Sequence, residues 1–319
     1  MKFILRYILL QAIVMGLHLP AVTQDVKDFE YYRRLNEQEK RLPEYKDSDD
    51  DLRLKLQQLE IINNSRRKHR AQPLELDILA SRVANKICRE AAENEYVSHW
   101  NLKGEKPYHR YAFAGGHDHV TENAYGEWDS KGFTVTSELI AKLMKNGHES
   151  FMAERAPNDG HKRNIIDKAH NYAGIGFYIT KNHFRYYEEF LNRYLEYISV
   201  PTALSTGETG TIVIDTKGRS YLYFLICYRE PFPVPLRPGQ KPRKGSYEDF
   251  SKEVAFKVPA WELAGYRKGN IYSIPVSFKK EGLYYIQIFT DKKEIATPRA
   301  ISTDGYYPVS GIVIKVTNP

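Results

Sequence analysis

Gly160-His161-Lys162-Arg163-Asn164-Ile165-Ile166, followed shortly by Gly174-Ile175-Gly176-Phe177-Tyr178-Ile179-Thr180, is the stretch from which the fold of this chain is read. The second segment predicts a strand, since β-branched and aromatic residues alternate there with small ones. The first places a histidine and an asparagine just after Ala156-Pro157-Asn158-Asp159, where Pro157 and Gly160 break any helix arriving from upstream. That helix is predicted over Ser137 to Arg155, with Leu139, Ile140, Leu143, Met144, Phe151 and Met152 as its apolar residues.

Further upstream, Leu52, Leu56, Leu59 and Ile62 recur at helical spacing within Leu52 to His69. Asp77 reads as the N-cap of a second helix. Leu79, Ala80, Val83, Ala84, Ile87, Cys88 and Ala91 give that helix a wide buried stripe ending near Asn94. Residues 98–133 read as a long polar loop region punctuated by Gly104, Pro107, Gly115, Gly116, Gly126 and Gly132, and loops of that length in a compact domain tend to carry function. Residues 25–51 form a charged lead-in with partial helix, interrupted at Pro43, and its acidic run Asp47-Ser48-Asp49-Asp50-Asp51 is expected to be a cap or a solvated face.

Downstream, residues 183–198 are predicted as an aromatic helix with Tyr187, Leu191, Tyr194 and Ile198 on one face. Thr211 to Asp215 and Ser220 to Tyr228 read as a hairpin. The second of these strands is apolar on both faces and belongs inside a covered sheet. Pro231, Pro233, Pro235, Pro238, Gly239 and Pro242 mark a linker over 231–246. The tail, 247–319, is expected to be a separate β-sandwich-like domain, with Asn270 to Phe278 and Gly282 to Thr290 paired as a hairpin and Gly311 to Val316 as a further strand.

The 319 residues suffice for one large domain or two modest ones, and the 27% charged residues argue against wholesale disorder. The net charge of +7 comes from scattered bases interleaved with acids, so no clustered basic face for nucleic acid is present in the sequence. Lys2 and Arg6 precede the apolar run Tyr7 to Leu17, and small residues follow near Thr23. This reads as a signal peptide over 1–24, too short and interrupted for a membrane span, and implies a secreted or periplasmic protein. Cys88 and Cys227 are the two cysteines, and export leaves both a bridge and two buried thiols open.

Five pieces occur in order: Asn64-Ser65-Arg66-Arg67-Lys68-His69-Arg70 with Leu76-Asp77; Ser98-His99; Thr121-Glu122-Asn123-Ala124-Tyr125-Gly126; Phe151-Met152-Ala153-Glu154; and Gly160-His161-Lys162-Arg163-Asn164. Together they resemble the CAP superfamily (cysteine-rich secretory, antigen 5, pathogenesis-related), particularly its bacterial branch, over roughly residues 52 to 229. The resemblance implies an α+β fold, a three-layer α-β-α sandwich around an antiparallel sheet, with the small β-rich domain following it. It also implies a cleft with two histidines and two acids. By their local motifs these are His99, His161 and Glu122. The fourth is Glu154 if Phe151 stands at the family's tryptophan position, with Glu149 as the competitor.

Neutral imidazoles suit a divalent ion such as zinc, and carboxylates can complete or orient the sphere. The same four residues could equally form a hydrogen-bonded network that holds loops together. His117 and His119 alternate on one extended segment and would face one ion, but their plainer reading, like that of His109 and His148, is a solvated side chain. Asn123 reads as a turn-former, and Arg163 and Asn164 as structural. No Gly-x-Ser-x-Gly elbow is present. The expected function is binding or interaction at the cell envelope or outside the cell, toward a lipid, sterol or envelope component, with the predicted aromatic helix either covering a sheet edge or walling a lipid groove. The alternatives are a metal-assisted hydrolase using Glu122 or Glu154 as base, and a structural envelope protein attached through its β domain.

Overall fold

The computed structural model describes residues 27–247 and 253–319, so the segment read as a signal peptide lies outside the described residues. Among the described residues no helix is long and apolar enough to cross a membrane.

The lead-in folds as helix α1 (Phe29–Gln38) and a 3-10 turn at Pro43–Tyr45. Helix α2 (Asp49–Lys68) starts at Ser48, whose side chain accepts from the Asp51 amide while Asp51 reaches back, a reciprocal capping box. The acidic run is therefore a cap. Next come β1 (Glu75–Leu76) and α3 (Ile78–Glu93), the latter capped by Asp77. The region expected to be a polar loop instead contains α4 (Pro107–Phe113) and a ten-residue strand, β2 (His119–Trp128). Helices α5 (Ser137–Met152) and α6 (Gly160–Ile166) then precede β3 (Tyr172–Ile179) and β4 (His183–Asn192).

These elements make a mixed sheet in the order β1-β3-β4-β2, antiparallel except for the short parallel β1–β3 pair. Helix α3 packs on one face and α2, α5 and α6 occupy the other, which is the three-layer α-β-α arrangement. The two glycines of β3 set the spacing of the α3 layer. A Cβ on Gly174 or Gly176 would lie 2.5 Å from the methyl of Ala80 or Ala84, so helix and sheet approach to a distance that only these small residues permit.

The aromatic helix predicted over 183–198 does not form. Residues 183–192 are β4, a central strand buried on both faces, with Phe184, Tyr186, Tyr187, Phe190 and Leu191 all inaccessible. Its charged members Arg185, Glu188 and Glu189 obscured the period-two pattern, because they are buried rather than solvated. A lipid groove walled by that helix is thereby removed.

After β4 the chain enters a two-sheet sandwich. One sheet contains β5 (Glu196–Ser199) and β7 (Thr209–Asp215); the other contains β6 (Ala203–Ser205) and β8 (Tyr221–Glu230). Both are completed by the tail: β9 (Val254–Pro259), the short helix α7 (Ala260–Leu263), β10 (Arg267–Lys268), β11 (Ile271–Ser277), β12 (Gly282–Asp291) and β13 (Ile312–Thr317). The strand orders are β10-β11-β7-β5 and β6-β13-β12-β8-β9.

Two expected hairpins are thus crossovers. Strand β7 pairs with β11 and β5, whereas β8 pairs with β12 and β9, so the Lys217-Gly218 turn passes between sheets. The Lys279-Lys280-Glu281 turn does the same between β11 and β12. The sandwich therefore begins near residue 196 rather than 247, and the proline-rich stretch is an excursion from within it. The interior character read for β8 holds, inside the sandwich.

The two units share a core. Leu79, Tyr108, Tyr111, Val120 and Leu191 from the α/β unit form one buried cluster with Leu283, Tyr285 and Val313 from the sandwich. Glu230 at the end of β8 accepts from the Tyr108 hydroxyl at 2.5 Å and lies 3.2 Å from His109 Nε2. His109 is thus a buried interface residue. His117 and His119 also sit at this seam, with the Gly311 amide donating to the His117 carbonyl at 2.7 Å and His119 Nδ1 3.4 Å from the Tyr285 hydroxyl. Neither the solvated nor the ion-sharing reading of this pair describes them. Cys88 and Cys227 are free buried thiols in different cores, one on the buried face of α3 and one in the sandwich.

Candidate functional site

Strand β2 is the edge of the four-stranded sheet, and a cleft of about 950 Å³ lies along that edge. His99 enters from the loop after α3, on one side of the strand, and His161 from the first turn of α6, on the other. Their ring centroids are 6.3 Å apart. Glu122 on β2 and Glu154 in the loop after α5 complete the lining, so all four expected residues converge.

Each histidine is held by its own acid. His99 Nδ1 is 2.8 Å from Glu122 Oε1, and His161 Nδ1 is 2.5 Å from Glu154 Oε1. The other oxygen of Glu154 accepts the backbone N–H of His161 at 3.0 Å. This single carboxylate therefore caps the start of α6 and orients the imidazole on it. Glu149 is on the exposed side of α5, paired with Lys145 at 2.9 Å, and does not reach the cleft. Phe151 is buried and stacks on the His161 ring at 4.7 Å. Pro157 and Asn158 form part of the cleft rim.

Glu122 sits in a denser network than the sequence suggested. Arg110 on α4, buried, donates to Glu122 Oε2 and, at 2.6 Å, to the His99 carbonyl. Glu189 lies directly across the β2–β4 ladder from Glu122, and its carboxylate is 3.8 Å from Arg110. Burial raises the affinity of both acids for a proton. For Glu122 the Arg110 guanidinium opposes this, whereas for Glu189 the neighbouring Glu122 charge adds to it, so Glu189 is pushed well above the carboxylate range.

On the opposite face of β2, Asn123 is buried within the strand rather than in a turn. It donates to Glu188 at 3.0 Å and to the His161 carbonyl at 3.1 Å, and accepts from Asn164 at 3.0 Å. Asn123 and Asn164 therefore fasten α6 to the sheet edge, in agreement with the structural reading of Asn164. His148 is buried too, with Nδ1 3.2 Å from Glu188 and Nε2 2.8 Å from the Ser65 hydroxyl. Arg66, wholly buried, donates to the carbonyls of Ile165, Asp167 and His170, which anchors the segment following His161 to α2. Arg163 is exposed, 3.3 Å from Asp159.

Tyr247 was not among the expected residues. Its buried ring lies 4.6 Å from that of His99, and its hydroxyl accepts the Glu122 amide hydrogen at 2.6 Å. It arrives at the end of the proline-rich excursion from the sandwich, and no motif in the sequence connects it with the cleft.

Residues 59–191 match the model of the cysteine-rich secretory protein family, CAP. No curated protein matches the chain. Among solved structures, the chain is similar to an extracellular SCP-domain protein from Bacillus anthracis, with 19% identity and a TM-score of 0.33, over 43% of this chain and 40% of that one. It is also similar to an outer surface protein from Borrelia burgdorferi, with 18% identity and a TM-score of 0.33, over 42% of this chain and 89% of that one. A cysteine-rich secretory protein from Staphylococcus aureus aligns at 15% identity and a TM-score of 0.29, over 43% and 38% of the two chains. The match spans about two fifths of the length of the Bacillus and Staphylococcus proteins. Residues 59–191, which hold the paired histidines and glutamates at the sheet edge, are thus the segment of this chain that matches the CAP, cysteine-rich secretory protein family.

Proposed function

We propose that this is an exported protein whose CAP domain is a binding module acting at the cell envelope or outside the cell, with a divalent ion such as zinc taken between His99 and His161. The observation that carries this reading is the pairing of each imidazole with its own carboxylate through Nδ1. Such pairing fixes ring orientation, selects the tautomer and makes Nε2 the more basic ligand atom. Among the described residues no group of three or more His, Cys, Asp or Glu side chains is placed to hold an ion, so the protein would supply two nitrogens and water the rest. Such a site is open and of modest affinity.

The engagement of the acids favours binding over hydrolysis. A general base needs a carboxylate oxygen facing the reacting water. Glu122 is committed to His99 and Arg110, and Glu154 to the ring and the amide of His161. Zinc titration by calorimetry, with elemental analysis of the purified protein, tests the proposal. About one ion per chain is expected in the wild type, with loss in His99→Ala and in His161→Ala. Equal zinc uptake by wild type and the double variant, or none by either, overturns it.

A further inference from the structure

The proline-rich excursion does not bridge two domains through solvent. It lies along the CAP domain. The Leu236 amide donates to the Leu102 carbonyl at 2.8 Å, and the Ser98 hydroxyl donates to the Arg243 carbonyl at 2.5 Å. The Arg243 guanidinium lies 3.9 Å over the Trp100 ring. Pro242 and Tyr247 are buried, while the residues between them are exposed. The segment thus bends at Gly245 between two buried side chains, held by a backbone carbonyl and a cation–aromatic contact at Arg243. Peptide ligands in grooves are held in the same way.

The floor beneath it fits that class of ligand. Strand β2 is an edge, so the amides of alternate residues turn away from the sheet into the cleft. The Glu122 amide is one of them, and it finds its acceptor on Tyr247 rather than on a neighbouring strand. The His99 ring, itself held by Glu122, provides the wall against which the tyrosine lies.

From this seating we infer that the CAP cleft is a recognition site for a basic polypeptide, with a subsite for an aromatic side chain between His99 and the edge of β2, and that Tyr247 occupies that subsite as an intramolecular ligand. The inference rests on the binding reading above and names the ligand class of the same cleft. A tethered segment competes at an effective concentration in the millimolar range, so in the wild type a free peptide meets an aromatic subsite already taken by Tyr247.

A fluorescently labelled peptide of residues 238–247, titrated against the full chain and read by anisotropy, tests this. Tyr247→Ala is expected to bind it at least tenfold more tightly than wild type, and the same peptide with alanine in place of its tyrosine is expected to lose that gain. Equal binding by wild type and Tyr247→Ala, or equal binding of both peptides, overturns the proposal. Should Tyr247→Ala lose its near-ultraviolet circular dichroism, the wild type supplies the readout instead. Millimolar peptide should then shift the Glu122 amide resonance and the alanine peptide should not; an unmoved resonance counts against the inference. Zinc calorimetry on the same samples separates the two readings. Peptide binding lost with zinc uptake intact sinks the peptide site alone, and the converse sinks the ion site alone.

Discussion

The Glu122 amide and the Tyr247 hydroxyl meet at 2.6 Å although 125 residues separate them, and the contact joins the edge of the CAP sheet to a segment emerging from the β-sandwich. The carboxylate of the same Glu122 orients His99, so one residue couples the metal-ligand candidate to the inter-unit strap. The sandwich therefore supplies part of the CAP cleft as well as stability.

The first consequence concerns which acid serves His161. Glu154→Gln removes the carboxylate from Nδ1 and should weaken zinc affinity by about 10–100-fold, the usual effect of losing a partner that orients a ligand. Glu149→Gln, on the exposed face of α5, should leave affinity unchanged. Calorimetric titration of both variants checks this, and the opposite ranking would return Glu149 to the site.

Glu189 is a buried acid beside a second acid, with a single guanidinium between them. Glu189→Gln should change stability by less than about 1 kcal/mol, because burial already favours the neutral form of the wild-type carboxyl. Arg110→Ala should cost about 3–5 kcal/mol by leaving Glu122 without its buried counter-charge. Urea denaturation at neutral pH measures both, and a large loss in Glu189→Gln would show that the acid is ionised in the fold.

Helix α3 rests on β3 through Gly174 and Gly176. A side chain at Gly176 would begin 2.3 Å from the Ala84 carbonyl carbon, a backbone atom that cannot rotate away. Gly176→Val should therefore destabilise by about 2–3 kcal/mol through overpacking. A shift of the urea midpoint at constant slope is the expected record.

Acid should weaken the seam between the units. Burial holds the His119 imidazole down to about 3 and that of His170 down to about 4, whereas both protonate near 6.5 in the unfolded chain. Below about pH 6.5 the unfolded state therefore gains protons that the folded state refuses, and stability falls with pH toward those folded values. Asp118 acts in the opposite sense. Burial raises its carboxyl to about 6 against the Arg193 charge, so between about pH 6 and 4 the folded state is the better proton binder there. His117, held down to about 4 by the same burial, acts with them, so three histidines outweigh one aspartate and a net loss of about 4 kcal/mol is expected between pH 7 and 5. Denaturant midpoints across that range test the sign.

The shared cluster around Tyr108 and Tyr285 predicts that the two units melt together. Glu230→Ala would leave the Tyr108 hydroxyl, His109 and Lys106 facing one another without the acid that now joins them. A loss of about 2–4 kcal/mol is expected, with the single wild-type calorimetric transition splitting into two. A wild type that already melts in two steps would refute the coupling.

What the residues alone determined were the features written in local spacing and motif. Helices α2, α3 and α5, the cap at Asp77 and strand β3 follow from apolar periodicity and cap chemistry, which act within a turn or two of chain. His99, Glu122 and His161 were legible through their immediate neighbours, and Phe151 pointed to Glu154. Other features depended on tertiary structure. Strand β4 was misread as a helix because Arg185, Glu188 and Glu189 look solvated until the partners that bury them are known. Strands β7 and β8, close in sequence, joined different sheets because the pairing that buries most apolar surface lies with the tail. Tyr247 reached the cleft because the sandwich core brings β8 and β9 together, and with them the ends of the excursion between them. No local pattern encodes a contact made across 125 residues, since its free energy comes from surfaces that exist only once both units have folded.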